Sequence, residues 1–274
     1  MRKLFRRLSA ALGAIAKSPS RVESSLQSLV DLQARALDAA NRQADVLREL
    51  IDLAQRLFPA QGELGRDDPR LSSSLFRARC LEAQAETLQL IRDEMPTAVC
   101  ELDHRAFLLD AVARAPAEGD ILEFGVFSGA TLRWMAEAYP ARRFVGFDSF
   151  RGLPREWTGY KTFNFDRAGS PPELPGNVEL AIGDFSQTLP AFASGAPRIA
   201  MLHIDCDLYE SAHAVLNALG PHLKPGAIVV FDEYFNYPGF RAHEYRACAE
   251  FLVQAGRRIE WLVYSGERAM GRLA

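Results

Sequence analysis

The chain has 274 residues, 48% hydrophobic content and a formal net charge of −3. This is enough apolar material for one sizeable core plus an appendage, and the charge excludes binding to nucleic acid by bulk positive potential. Cys80, Cys100, Cys206 and Cys248 form no CxxC pair, which argues against structural zinc and a disulfide framework and points to a reducing cytoplasm.

Residues 1–17 carry Arg2, Lys3, Arg6, Arg7 and Lys17 without an acid, and Leu4, Phe5, Leu8, Leu12 and Ile15 share one helical face. Two readings stay open: a helix packed on protein, or a basic amphipathic segment making peripheral contact with an anionic membrane. No run of about 18 apolar residues exists, so no transmembrane helix is expected. Ser18-Pro19-Ser20 breaks the chain, and Ser20 with Glu23 forms a capping box. From Val22 to Leu57 the seam residues recur at alternating steps of four and three, which predicts a heptad helix over 18–59. Such a helix is about 55 Å long. Its single stripe calls for a partner: a second copy, giving a homo-oligomer through the 20–57 coiled coil, or neighbouring N-terminal helices. Residues 60–94 read as a linker followed by a helix over 71–94, and residues 97–116 as a helix leading into a core domain spanning 95–274.

From residue 120 onward strand and helix patterns alternate, as in parallel βαβ units. ILEF, RFVGF, NVELAI, IAMLHI and AIVVF read as five buried parallel strands. TLRWMAEAY, ESAHAVLNAL and RAHEYRACAEFLVQAG read as helices, while IEWLVY and ERAMGRL are separated only by Ser265-Gly266. So short a connection forces antiparallel pairing. The expected fold class is α/β: a Rossmann-like seven-stranded sheet, five strands parallel and closed by an antiparallel C-terminal hairpin, with an N-terminal helical extension.

In an open parallel sheet, ligands bind beyond the carboxyl ends of the strands, and the tips here carry chemistry. Strand one runs into Glu123-Phe124-Gly125-Val126-Phe127-Ser128-Gly129, a loop whose glycines let the backbone approach a ligand at a helix N-terminus. Strand two ends in Asp148 with Ser149 beside it, an acid placed to accept ribose hydroxyls. Strand three ends in Gly183-Asp184-Phe185, an acid and an aromatic ring for an adenine. Together these three tips indicate an adenosine-type cofactor. The fourth and fifth tips carry Asp205-Cys206-Asp207 and Asp232-Glu233. Three converging carboxylates, Asp205, Asp232 and Glu233, call for a hard divalent cation; the alternative is that each acid caps the helix after it. Asp207 either caps a helix over 208–220 or orients Asp205. Cys206 and His203 are expected to face the core, and His243 could touch substrate. The aromatic stretch 154–176 is either a lid or a packed loop.

The motifs EFGVFSGATLR, GFDSFRGLP, GDFSQTLP, HIDCDLYES and VVFDEY occur in this order. Across residues 95–270 the chain resembles the macrocin O-methyltransferase family, sugar O-methyltransferases that use S-adenosylmethionine (SAM) and Mg2+. The resemblance implies a class I methyltransferase fold, SAM and Mg2+ or another divalent cation as cofactors, and Asp205 as metal ligand and general base. It also implies that Asp232 and Glu233 complete the metal site. The second acid cluster departs from the family's usual Asp-Asp, and the segment from Tyr237 to Tyr245 is longer than expected. The expected acceptor is therefore a sugar hydroxyl of a glycan or glycosylated metabolite. An aromatic diol of the catechol type and a non-catalytic coiled-coil assembly role are the competing readings.

Overall fold

The structure, a computed structural model, describes residues 69–154 and 165–274, with side chains from residue 74. The basic segment 1–17, the heptad helix over 18–59 and the tip of the aromatic stretch, 155–164, lie outside the described residues.

In chain order the elements are α1 (Pro69–Glu94), β1 (Val99–Cys100), α2 (His104–Arg114), β2 (Asp120–Phe124), α3 (Ala130–Ala138), β3 (Phe144–Asp148) and β4 (Val178–Ile182). Then come α4 (Phe185–Ser194), β5 (Ile199–Ile204), α5 (Tyr209–Leu219), β6 (Leu223–Phe231), α6 (Glu244–Ala255), β7 (Ile259–Ser265) and β8 (Arg268–Leu273). The strands form one sheet in the order β1-β7-β8-β6-β5-β2-β3-β4. Pairings from β4 across to β6 are parallel, and β8 runs antiparallel to both β6 and β7. The order reverses direction at β2, which neighbours both β3 and β5. A cleft opens at such a switch point, beyond the strand tips.

All six residues of β5 are buried, as a central strand covered on both faces requires. Leu122, Phe124, Leu202, Ile204, Val229 and Phe231 enter one apolar cluster. Ile121, Phe144, Met201, Ile228, Val230 and Met270 enter a second. Burial of a Leu, Ile or Phe side chain stabilises by about 1.5–3 kcal/mol, so the central strands are anchored on two sides and their tips are held rigidly.

The sequence reading departs from the structure in three places. Residues 97–116 are not one helix. Val99–Cys100 adds an eighth strand, parallel to β7, and α2 starts at His104 because the Asp103 carboxylate accepts from the Ala106 N–H at 2.7 Å. Helix α4 was not expected; it carries Pro190 inside it, and a proline that removes a helical N–H masks the periodicity. The hairpin loop is Gly266-Glu267, with Ser265 paired to Arg268, a shift of one residue. Gly266 supplies the positive φ of 57° at its first position. No described helix is long and apolar enough to cross a membrane. All four cysteines are free thiols.

Candidate functional site

The ladder of the sheet extends to the acids themselves. The Asp205 N–H donates to the Phe124 carbonyl at 2.9 Å, and the Asp232 N–H to the Ile204 carbonyl at 2.9 Å. Asp205 and Asp232 thus leave the tips of adjacent strands in register. Gly125 lets the β2 loop lie directly against this edge. It sits at φ 96°, and a Cβ there would stand 1.7 Å from the Asp205 carbonyl oxygen, a clash no side chain could relieve.

A cavity of about 670 Å³ lies along these tips. Its wall includes Gly125, Phe127, Ser128, Asp148, Ser149, Asp184, Phe185 and Asp205, so seven of the expected cofactor residues meet there and one catalytic candidate joins them. Three others stand elsewhere. Glu123 and Phe124 are wholly buried. Glu123 has one oxygen bonded by the Thr131 hydroxyl at 3.0 Å and the other 2.9 Å from His203 Nδ1. Phe124 stacks on Phe147 at 4.7 Å. Gly129 takes the left-handed position before α3, against Pro172 and Leu174. These three shape the cavity from behind rather than line it.

Asp148 organises the loop. Its Oδ2 accepts the N–H groups of Val126 (2.8 Å) and Phe127 (2.7 Å), and its Oδ1 accepts that of Phe150 (2.7 Å). Phe127 and Phe150 both hold positive φ, 45° and 55°, a conformation that costs a non-glycine residue about 1–3 kcal/mol. The carboxylate's three charge-assisted bonds offset that strain. Phe165 packs edge-on to Phe127 with centroids 5.4 Å apart and lines the same cavity.

Beside the cavity lies a cluster of acids. Donor atoms of His203, Asp205 and Asp232 lie within 4.8 Å of one another. Asp232 is the most engaged: Arg268 grips it with Nε to Oδ1 at 2.7 Å and Nη2 to Oδ2 at 3.0 Å. His104 Nε2 and His203 Nε2 approach Oδ1 at 3.4 and 3.6 Å. Burial alone would raise the Asp232 pKa, but His104, His203 and Arg268 outweigh it and hold the carboxyl well below its usual range. Burial opposes charge on His203 too, yet Asp232 and Glu123 keep its imidazole protonated well above the ordinary histidine range. His203 is thus a core residue by burial, as expected, but one that links the cavity's underside to the acid cluster.

Asp205 is pushed well up by burial and by the Asp232 charge. Glu233 stands outside the His203–Asp205–Asp232 group, although Asp232, Asp205, Glu244 and Asp207 all press its pKa up after burial has done so. Its Oε2 is buried with no hydrogen-bond partner. Glu244, which no local motif marks, is wholly buried at the start of α6. It accepts the Glu233 N–H at 3.2 Å and leaves its Oε1 without a partner. Asp207 does not cap α5: the capping position is Leu208, with no side-chain bond, and Asp207 sits at φ 61°. Cys206 is buried, as expected.

Buried acids without enough cations are a stability cost that a bound cation would remove. Asp207 is one such buried acid. Burial and then the Asp232 charge push its pKa from 3.8 up to about 7. Between those values the folded chain holds the proton more tightly than the unfolded chain, so stability falls as pH rises through that window and stays lower above it. Asp207→Asn tolerates the left-handed backbone and removes the titration. In chelator-treated protein it is expected to flatten the fall, and near pH 8 to exceed the wild type by at most about 4 kcal/mol. Urea unfolding at several pH values measures this; a wild-type profile without the decline would contradict it.

A family model described as a methyltransferase domain matches residues 122–234, the stretch from β2 through Tyr234. The 8-demethyl-8-(2,3-dimethoxy-α-L-rhamnosyl)-tetracenomycin-C 4'-O-methyltransferase of Streptomyces olivaceus is 31% identical over 160 residues, 48% of this chain and 59% of that protein. The mycinamicin III 3''-O-methyltransferase of Micromonospora griseorubida is 30% identical over 178 residues, 53% of this chain and 67% of that protein. The match thus spans less than two thirds of the first relative's length. Among solved structures, the calicheamicin methyltransferase CalS11 is similar, with a TM-score of 0.49 and 25% identity over 77% of this chain and 96% of that one.

Proposed function

The chain belongs to the macrocin-type family of class I SAM-dependent O-methyltransferases, and from this premise we propose that it moves the methyl group of SAM to a sugar hydroxyl with the help of a divalent cation. One observation carries the reading: Asp205 belongs both to the cavity wall and to the acidic donor group. A methyl donor in the cavity and a hydroxyl beside the acids would meet at that residue.

The residues fit both groups. The cavity has the size of a small-molecule site, an anchored carboxylate at Asp148 and an acid–aromatic pair at Asp184 and Phe185. The cluster has two buried carboxylate oxygens, on Glu233 and Glu244, with no partner, as expected where a cation completes the charge balance. Asp205 and Asp232, with Glu233 beside them, would hold the ion.

When bound, SAM supplies a methyl already activated by its sulfonium, and a divalent cation supplies positive charge that lowers the pKa of the acceptor hydroxyl. The protein's own residues do the rest. Asp148 would accept one ribose hydroxyl on its remaining lone pair, while the other three hold the N–H groups of Val126, Phe127 and Phe150 in place. Asp184 and Phe185, on the cavity wall, would hold the adenine. Asp205, at the junction, would accept the acceptor hydroxyl's proton on a carboxylate oxygen, a role worth about 10²–10⁴ in rate. Arg268 holds Asp232 by a bidentate fork. Arg151, Glu210 and Ser211 on the same wall offer hydrogen-bonding groups that suit a sugar better than a flat aromatic diol.

The test is transfer of labelled methyl from SAM to rhamnosyl glycosides bearing vicinal hydroxyls, in chelator-treated protein with and without added Mg2+ or Mn2+. Label in the sugar, dependent on the cation, is the expected result. Label in catechols alone would replace the sugar reading, and transfer indifferent to chelation would remove the cation from it.

A further inference from the structure

We propose that His203 is itself a metal ligand: its Nε2, with carboxylate oxygens of Asp205 and Asp232, forms a one-nitrogen, two-oxygen donor set that favours Mn2+, Fe2+ or Co2+ over Mg2+. This rests on the divalent-cation reading above and changes two things about it: which residues bind, and which ion.

Four observations converge on the imidazole. The ring is wholly buried near the end of β5, the strand that leads into Asp205. Its Nδ1 lies 2.9 Å from Glu123 Oε2, and since a carboxylate only accepts, Nδ1 carries a proton toward it. Glu123 is in turn held by the Thr131 hydroxyl at 3.0 Å. This chain of hydroxyl, carboxylate and imidazole fixes the ring plane and leaves Nε2 as the outward nitrogen, whose proton an incoming cation would displace; it is the arrangement in which protein carboxylates orient metal-bound histidines.

Nε2 itself has no hydrogen-bond partner. The nearest carboxylate oxygen, Asp232 Oδ1, stands at 3.6 Å, too far for a hydrogen bond. A buried ring nitrogen without a partner is costly, and this one is aimed at two acids. The donor atoms of His203, Asp205 and Asp232 lie within 4.8 Å of one another. An ion about 2.2 Å from each donor keeps any two within about 4.4 Å, so small side-chain rotations close the set.

Glu233, the third ligand expected from the sequence, is outside this group. Asp232 is already shared with Arg268 through both oxygens, which weakens it as a donor. A nitrogen ligand compensates, and it also selects the ion: imidazole suits transition metals, whereas Mg2+ keeps to oxygen. His104, the other nearby imidazole, has a partly exposed side chain, approaches only Asp232 at 3.4 Å and is not part of the donor group.

The decisive experiment is pulsed electron paramagnetic resonance of chelator-stripped full-length protein loaded with Mn2+ alone, with and without 15N-histidine labelling. The expected spectrum shows one nitrogen coupled to Mn2+, shifted by the label, retained in His104→Gln and lost in His203→Gln. Titration should show Mn2+ bound at least about tenfold more tightly than Mg2+, with that preference gone in His203→Gln. The labelled wild type needs no substitution, so the result stands even where His203→Gln does not fold. Mn2+ bound without histidine coupling overturns the proposal and makes His203 a buried ion-pair partner, while the cation reading survives. Coupling that disappears in His104→Gln but persists in His203→Gln overturns the assignment. Failure of both Mn2+ and Mg2+ to bind overturns this proposal and the cation reading together.

Discussion

Asp205→Asn is expected to lower kcat for methyl transfer by about 10²–10⁴-fold while leaving the affinity for SAM within a few-fold of wild type. The substitution keeps the size of the side chain and its N–H bond to the Phe124 carbonyl at 2.9 Å, so the strand tip stays in place. It removes the carboxylate that bridges the cavity wall and the acid cluster. The cavity-lining residues that follow β2, β3 and β4 do not depend on it, which is why binding and turnover should separate. Steady-state kinetics together with calorimetry decide the matter. Activity within tenfold of wild type would remove Asp205 from the chemistry.

Asp148→Ala should have the opposite signature, a loss of SAM binding. A ribose hydroxyl donating to the one free lone pair of this carboxylate is worth about 1.5–3 kcal/mol, so the affinity should fall by about 10–10²-fold. The same change strips the partners from the N–H groups of Val126, Phe127 and Phe150. With the positive φ of Phe127 and Phe150 no longer supported, folding stability should drop by about 3 kcal/mol or more. Asp148→Asn retains one acceptor and should fall between the two proteins. Thermal unfolding without ligand, beside titration with SAM, separates the structural loss from the binding loss. Wild-type affinity in the Asn variant would contradict the ribose assignment.

Much of the core was readable because its strands are short apolar runs with acids or glycines at their ends. IAMLHI marks β5 residue for residue, and the short link between IEWLVY and ERAMGRL announces the antiparallel turn. Elements with weak local signals were not readable. The two-residue β1 exists only through its pairing with β7, and Pro190 disguised α4. The site divides in the same way. Asp148, Asp184 and Asp205 stand at strand tips and reach the cavity. Glu123 also stands near a tip, but faces inward, where His203 and Thr131 claim it.

In the sequence His203 reads as core packing, because an imidazole inside an apolar run looks like one more buried ring. Its partner Glu123 lies 80 positions away, and no local spacing brings them together. Arg268 meets Asp232 across 36 residues only because β8 pairs with β6. Glu244 sits behind Glu233 because α6 turns back over the end of β6. Charge balance inside a site is a property of the tertiary arrangement, and a linear pattern of acids predicts their convergence but not which cations attend them.

The central claim is that the cavity at the tips of β2, β3 and β4 is a SAM site, and titration calorimetry of SAM against the full chain tests it most directly. One SAM bound per chain, with the affinity collapsing in Asp148→Ala and persisting in Asp205→Asn, is the predicted result. No binding to the wild type at millimolar SAM, or binding indifferent to Asp148, would contradict the account.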